Sequence, residues 1–376
     1  MNDRPLHVWY GDGPNSPRTP PRDVLAVAGF EPAADLRVTL GWTVEPMPWL
    51  DEPDFAAETV LAGYGLARPV AAGHVVALPV RLSAVAQRIE TAPPDLAVVT
   101  GRWRDGRLVF SSSIGWADVL ARNAARVVVE VDHDAPDLGG PAIAGNVVAA
   151  VDRPPTASGD PSASRSADEV DLRIGASVAA LLPDDATLQF GPGGIGEGIA
   201  RSIDRPVRIR SGLLTDAMAE LHDRGLLIEA AVAAYTWGGA PIERLAAVGM
   251  LRLSSSTVTH DLSALSAIPR FVGCNTALQV GVDGSVNVER VGDRVVAAVG
   301  GHADFCAGAS RSVGGISIIA LRSTTRTGDP TIVDVVDVVS TARSDVDVVV
   351  TELGVAHLRG ASDVERRRRL LAISGR

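Results

Sequence analysis

The chain has no lysine; all 35 of its basic residues are arginine. Schiff-base catalysis and pyridoxal phosphate attachment need a lysine amine, and a P-loop needs its lysine, so these chemistries are excluded. Cysteine is nearly absent as well. Cys274 and Cys306 cannot make a disulfide framework, and no Cys/His cluster has zinc spacing, so no metal site is expected. Aromatic residues make up 4%, which leaves Val, Leu, Ile and Ala to build a core. Apolar runs such as Val127–Val131 and Val346–Val350 are short, far from the ~20 residues a membrane span needs. Met1–Tyr10 shows no positive region followed by an apolar stretch, so no secretory leader is expected. A reducing, cytoplasmic setting fits these absences.

What is present points to a globular protein with a large core: 46% hydrophobic and 21% charged residues over 376 positions, enough for two domains. The net charge of −10 argues against a nucleic-acid or anionic-membrane partner, which calls for a concentrated basic face. Arg153–Asp168 is rich in Pro, Ser, Ala and Asp without apolar periodicity, the composition of a linker. It divides the chain into a first half, residues 1–152, and a second half, residues 169–376.

The halves echo one another. Asp35–Gly41 and Asp185–Gly191 are each a short alternating strand ending in a glycine. Asp95–Phe110 and Asn275–Glu289 each hold two apolar runs joined by Asp-Gly, at Asp105-Gly106 and Asp283-Gly284, a hairpin signal. Gly115–Ala121 and Gly301–Ala307 follow, each leading to a buried-type strand, Val127–Val131 and Ile316–Leu321. Helical stretches are expected at Ala56–Leu66, Ala176–Leu182, Ile195–Ile203, Asp216–Arg224 and Ser362–Ile373. Near-continuous apolar strands alternating with helices predict an α/β fold: two similar open, mostly parallel sheets with a ligand cleft between them.

Three segments could carry chemistry. Gly191–Gly198 follows the strand Thr187–Phe190 and opens a helix, placing Gly191, Gly193, Gly194 and Ile195 where backbone N–H groups can meet an anion. It formally contains G-x-G-x-x-G, yet the next strand ends in Arg210-Ser211 rather than an acidic residue. A structural turn, a dinucleotide site and a turn lining an acyl-CoA site therefore all remain open. Val299–Phe305 pairs Gly300 and Gly301 ahead of His302, a candidate donor to a carbonyl oxygen, with Asp304 read as a cap for the following helix. Ser312–Leu321 contributes a second glycine pair, Gly314 and Gly315. Val350–Gly360 carries Glu352 at a strand end, and Arg366–Arg369 beyond it is read as a solvated helix face.

In this order and spacing the segments resemble the acetyl-CoA hydrolase/transferase family, which includes acetate and 4-hydroxybutyrate CoA-transferases. That family reads about G-G-Q-x-D-F where this chain has Gly300–Phe305, S-x-G-G-K-x-I-I-A-L near Ser312–Leu321, and V-T-E-Y-G-V-A-x-L-R-G at Val350–Gly360. Pro79–Ser83 and Ser113–Val131 extend the likeness across roughly residues 55–376. The resemblance implies coenzyme A as ligand or substrate, and a mechanism in which a glutamate attacks the thioester and passes the acyl group to a carboxylate or water. The family's glutamate stretch, about G-I-H-[ST]-E-x-x-[ST]-D, matches Arg208–Asp216, where the glutamate position is Gly212 and the histidine position Arg210. Its lysine and glutamine positions are Ile316 and His302.

Three functions follow from this pattern. The first is hydrolysis or transfer of a short acyl-CoA, with a small carboxylate acceptor, by another group: His302, Glu352 or Glu197. The second is a catalytically silent acyl-CoA-binding protein, as a homo-oligomer or partnered with a glutamate-bearing subunit. The third is a different carbonyl reaction in the same cleft.

Overall fold

The computed structural model describes residues 4–31, 35–155 and 166–376. The first sheet is built from β1 (Leu6–Tyr10), β2 (Leu36–Leu40), β3 (Ala56–Thr59), β4 (Val76–Ala77), β5 (Leu96–Arg104), β6 (Arg107–Val109), β7 (Arg126–Val131) and β8 (Val147–Asp152). The second begins with β9 (Thr187–Phe190), β10 (Arg208–Thr215), β11 (Ala231–Trp237), β12 (Leu251–Leu253) and β13 (Phe271–Asn275). Four short strands intervene, β14 (Gln279–Gly281), β15 (Val286–Asn287), β16 (Arg290–Val291) and β17 (Arg294–Val295). Then come β18 (Ile316–Ala320), β19 (Ile332–Val333), β20 (Val348–Thr351) and β21 (Gly354–His357).

The two sheets have the same strand order. One runs β4-β3-β2-β1-β5-β7-β8 and the other β12-β11-β10-β9-β13-β18-β20-β21. Pairing along both paths is parallel until β21 turns back on β20. This is a duplicated α/β unit, as the sequence markers suggest, with one correction. The order equates β9 with the central strand β1, so Asp185–Gly191 answers Leu6–Gly11; β2, in Asp35–Gly41, answers β10 instead. Both Asp-Gly pairs do close antiparallel hairpins, β5–β6 and β14–β15. The middle of the expected linker, residues 156–165, lies outside the described residues.

Four of the expected helices form, as Glu169–Ala179, Gly194–Ser202, Asp216–Asp223 and Asp363–Leu371, the first beginning well before the expected Ala176 and ending at Ala179 rather than Leu182. The fifth does not. Ala56–Thr59 is β3, paired in parallel with β2, and a single 3-10 turn follows at Tyr64–Leu66. Local Ala and Glu preference for helix loses to sheet pairing, the usual tertiary override. Gly63 also adopts φ +112°, and Gly65 lies against the Glu45 carbonyl where no Cβ fits. Of the basic run, Arg367 and Arg368 are exposed, as a solvated face requires, while Arg366 and Arg369 fold back onto backbone carbonyls.

The halves share one core. Trp9, Val99, Trp116 and Val129 of the first pack in the same cluster as Phe190, Ile199, Leu214 and Val272 of the second. Backbone bonds cross the seam: Ile114 N–H donates to the Ala234 carbonyl (2.9 Å), Thr236 to Ser112 (2.9 Å) and Leu82 to Gly300 (3.0 Å). The scarce aromatics gather there too. Trp42 and Tyr64 of the first half meet Trp237 of the second, at ring separations of 5.9 and 5.6 Å. Asp304 is not the cap of its own helix. That helix, His302–Arg311, has Gly301 at its N-cap, and the buried Asp304 carboxylate crosses the seam to accept from Ser83 N–H (3.1 Å) and Ser83 Oγ (2.7 Å). Ser83 lies in the first turn of the helix Leu82–Thr91, so Asp304 caps a helix of the opposite half. Asp304→Ala is expected to lower the unfolding free energy by about 1–2 kcal/mol, read from urea denaturation; an unchanged midpoint would contradict the assignment.

Candidate active site

Open parallel sheets hold ligands beyond the carboxyl ends of their strands, and the main candidate cavity lies there, on the seam. It measures about 260 Å³ and takes walls from Trp42, Leu61, Tyr64 and Leu82 of the first half. From the second half come Phe190 and Gly191, Ser211 and Gly212, Tyr235, His260, Asn275, and the segment from Gly300 to His302 with Phe305. No Asp, Glu, Arg or Cys appears among its described lining residues. A neighbouring hollow of about 320 Å³ also uses Pro192, and is lined by Gly194, Ile195, Thr276 and Arg322.

Several of the residues singled out from the sequence meet here. Gly191, Gly212, Gly300, Gly301 and His302 all border the main cavity, while Gly194 and Ile195 border the neighbouring one. Others are elsewhere. Gly193, at φ +96°, forms the turn that starts the helix Gly194–Ser202 and borders neither. Gly314 and Gly315 precede β18 and pack on Arg270 and Phe271, at the amino ends of the strands and opposite to the cavity. Glu352 sits in the turn from β20 to β21, accepting from Ser323 N–H (2.9 Å) and Oγ (2.6 Å). Glu197 is engaged by Arg201 one helical turn on, at 2.8 Å. Neither glutamate lines the cavity, so neither stands in for a side chain at 212.

The G-x-G-x-x-G pattern also finds its reason. A Cβ on Gly196 would fall 2.0 Å from the Gly191 carbonyl oxygen, and one on Gly198 would fall 2.4 Å from that of Asp171. Gly175 meets the same Gly198 backbone from the helix Glu169–Ala179. These glycines let a turn close and two helices touch.

Two imidazoles dominate the site's polar chemistry. His302, first residue of its helix, has Nδ1 2.8 Å from Thr341 Oγ1, and its buried Nε2 has no hydrogen-bond partner among the described residues. Burial pushes its pKa down from 6.5 to about 4, and the positive helix end likewise disfavours a proton. Sequence reasoning missed His260. It follows the short helix Ser256–Thr259, its ring lies 4.7 Å from that of Phe305, and burial lowers its pKa to about 3. Its Nε2 stands 3.0 Å from where a Cβ on Gly212 would be. No motif marks His260; the signal available was only a histidine between two helical stretches. Close by, Asn275 accepts from Gln189 Nε2 (3.3 Å), and Gln189 Oε1 is buried without a donor among the described residues.

Across the seam, Tyr235 donates to the Asp12 carboxyl group. Asp12 follows β1 as Pro192 follows β9, and its burial raises its pKa to about 8 despite the bond from Tyr235. The ring of Tyr235 fits a slot between Gly13 and Gly115, where a Cβ would fall 3.2 and 2.6 Å from it.

His260 gives the fold an acid sensitivity. Folded, it binds a proton only near pH 3, whereas the unfolded chain binds one near pH 6.5. Between those values the unfolded state holds more protons, so this contribution is complete above pH 6.5 and lost as the pH falls toward 3. Urea titrations from pH 7 to pH 4 should show wild type losing more stability than His260→Gln; parallel losses would contradict a buried, neutral His260.

Residues 243–375 match the acetyl-CoA hydrolase/transferase C-terminal domain. The chain is 30% identical over 221 residues to the 4-hydroxybutyrate coenzyme A transferase of Clostridium kluyveri, covering 55% of this chain and 52% of that one. It is 25% identical over 354 residues to the succinyl-CoA:acetate/propanoyl-CoA:succinate CoA transferase of Fasciola hepatica, 88% and 74% of the two chains. The first alignment thus spans about half of its relative's length. Among solved structures, RipA from Yersinia pestis superposes with a TM-score of 0.84 at 23% identity over 98% of this chain and 90% of that one. The 4-hydroxybutyrate CoA-transferase from Porphyromonas gingivalis gives 0.71, also at 23%, over 100% and 91%. At such identities the superpositions establish the fold alone. Residues 243–375 thus match an acetyl-CoA hydrolase/transferase C-terminal domain, and the chain as a whole is similar to CoA-transferases and acetyl-CoA hydrolases.

Proposed function

We propose that this protein binds a short acyl-CoA in the seam cavity and hydrolyses its thioester with water, without a covalent acyl-enzyme intermediate. The observation that carries the reading is the cavity's composition. Its described lining holds two imidazoles, Asn275, Gln189 and several glycines, but no carboxylate or thiol to act as nucleophile. The hydroxyls there are committed or unactivated: Ser211 Oγ donates to the Leu213 carbonyl (2.9 Å) and Tyr235 to Asp12, and a covalent route needs an activated nucleophile, which attack by water does not.

His302 suits the carbonyl side of this reaction. When Thr341 donates to its Nδ1, the proton sits on Nε2, an N–H donor facing the cavity, for which the Thr276 backbone is the one competing acceptor among the described residues. An imidazole kept neutral donates to an oxygen gaining negative charge without first being deprotonated, and the start of a helix favours that charge. The adjoining hollow beside Pro192, lined by Gly194 and Ile195, offers room for the remainder of the coenzyme A. Volume limits the acyl group: about 260 Å³ suits a short chain.

A second reading rests on the same lining. With both histidines far below neutrality, the site lacks a strong base, and an acyl-CoA-binding protein that does not turn over has the same composition. Thiol release separates the two. Purified protein with acetyl- or butyryl-CoA should liberate free thiol at a rate indifferent to added acetate or succinate. His302→Ala should slow release about 10²-fold while leaving coenzyme A binding in place. Calorimetric binding without release would favour the silent reading, and acetate-dependent formation of a new acyl-CoA would refute the non-covalent one. No coenzyme A binding would sink both.

A further inference from the structure

Two glycines of the cavity abut one histidine. A Cβ on Gly301 would lie 2.5 Å from Cδ2 and 2.6 Å from Nε2 of His260, and one on Gly212 would lie 3.0 Å from the same Nε2. Neither glycine has positive φ, so what each provides is space rather than an unusual backbone. His260 is 1% exposed, and its ring packs on Phe305. The imidazole therefore lies against two stretches of backbone that come from distant parts of the second half. It crowds the space beside position 212.

The far side of the ring gives Nδ1 a hydroxyl partner. Nδ1 is 2.8 Å from Thr259 Oγ1, and that hydroxyl has the Ser255 carbonyl as acceptor at 3.4 Å. With Thr259 donating to Ser255, its oxygen takes the Nδ1 proton and Nε2 keeps its lone pair. His260 is then an acceptor and His302 a donor in one cavity: the two capacities that a water molecule and a thioester carbonyl require.

We propose that His260 is a catalytic residue whose Nε2 accepts the hydrogen bond of the water attacking the thioester. The assignment rests on the hydrolytic reading above. The water oxygen forms a bond to the acyl carbon, and its proton passes to Nε2. The C–S bond then breaks, and the thiolate takes that proton from Nε2. One thioester and one water give one carboxylic acid and one thiol, with His260 restored. Burial holds His260 in its neutral form, to about pH 3. It is a weak base, so orientation of the water contributes more than proton affinity does.

The test uses the intact chain and acetyl-CoA. His260→Ala and the volume-keeping His260→Phe should lower kcat by at least tenfold with KM changed by less than about threefold, in line with loss of a positioned general base. Gly301→Ala, whose new methyl meets the ring at 2.5 Å, should cost more turnover than Gly212→Ala, which meets it at 3.0 Å. Combining Gly301→Ala with His260→Ala should add no further loss, the non-additivity of residues acting on one group. Circular dichroism and calorimetric coenzyme A binding establish that each variant is folded; should His260→Ala fail to fold, His260→Phe decides. Wild-type kcat in folded His260→Phe, or a loss confined to KM, would overturn the assignment while leaving hydrolysis standing. Absence of thiol release from wild type would instead remove the hydrolytic reading and this assignment with it.

Discussion

The site depends on a close approach of backbone to imidazole. His260 lies where a Cβ on residue 301 would clash at 2.5 Å, and a Cβ on residue 212 would press on its Nε2 at 3.0 Å. The absence of a side chain at 212 and the imidazole beside it are thus coupled by packing. The contact also brings the middle of β10 together with the start of the helix His302–Arg311, so the cavity's two histidines are positioned by the same packing. Interiors are dense enough that such a three-way contact propagates small displacements to every member.

The seam supplies the other half of the constraint. Each sheet carries its ligand-ready edge at the carboxyl ends of its strands, and the duplication sets two such edges against each other. Backbone bonds from Ile114, Thr236 and Leu82, the Asp304 cap on Leu82–Thr91, and the Tyr235–Asp12 pair all cross within this region. Four aromatics of an aromatic-poor chain cluster there, Trp42, Tyr64, Tyr235 and Trp237. Large rigid side chains give contact area at little cost in side-chain entropy, which suits a junction that must hold a cavity open.

The fold was largely legible in the sequence because its signals are local. Apolar runs such as Val127–Val131, Asp-Gly hairpins and a glycine turn after Thr187–Phe190 each announce an element within a few residues. Ala56–Leu66 misled because Ala and Glu favour a helix and nothing nearby reveals that β2 needs a partner. The equation of Asp35–Gly41 with Asp185–Gly191 failed by one strand, since any short alternating strand ending in glycine looks alike. The site was legible only where glycines mark it. Gly212, Gly300, Gly301 and His302 fall in recognisable segments. His260 does not, and its contacts with Gly212 and Gly301 exist only after folding. Glu352 and Glu197 were plausible as residue types, but Ser323 and Arg201 hold them elsewhere.

The central claim is that neutral imidazoles, and not a carboxylate, meet the acyl-CoA on the seam. The most direct measurement is nitrogen NMR of the seven histidines during titration with a non-hydrolysable acyl-CoA thioether. The account predicts that His260 and His302 stay neutral from pH 7 to pH 5 and that their Nε2 resonances, above those of the other histidines, move on binding. Either ring titrating near pH 6.5, or a ligand that binds while leaving both resonances in place, would contradict it.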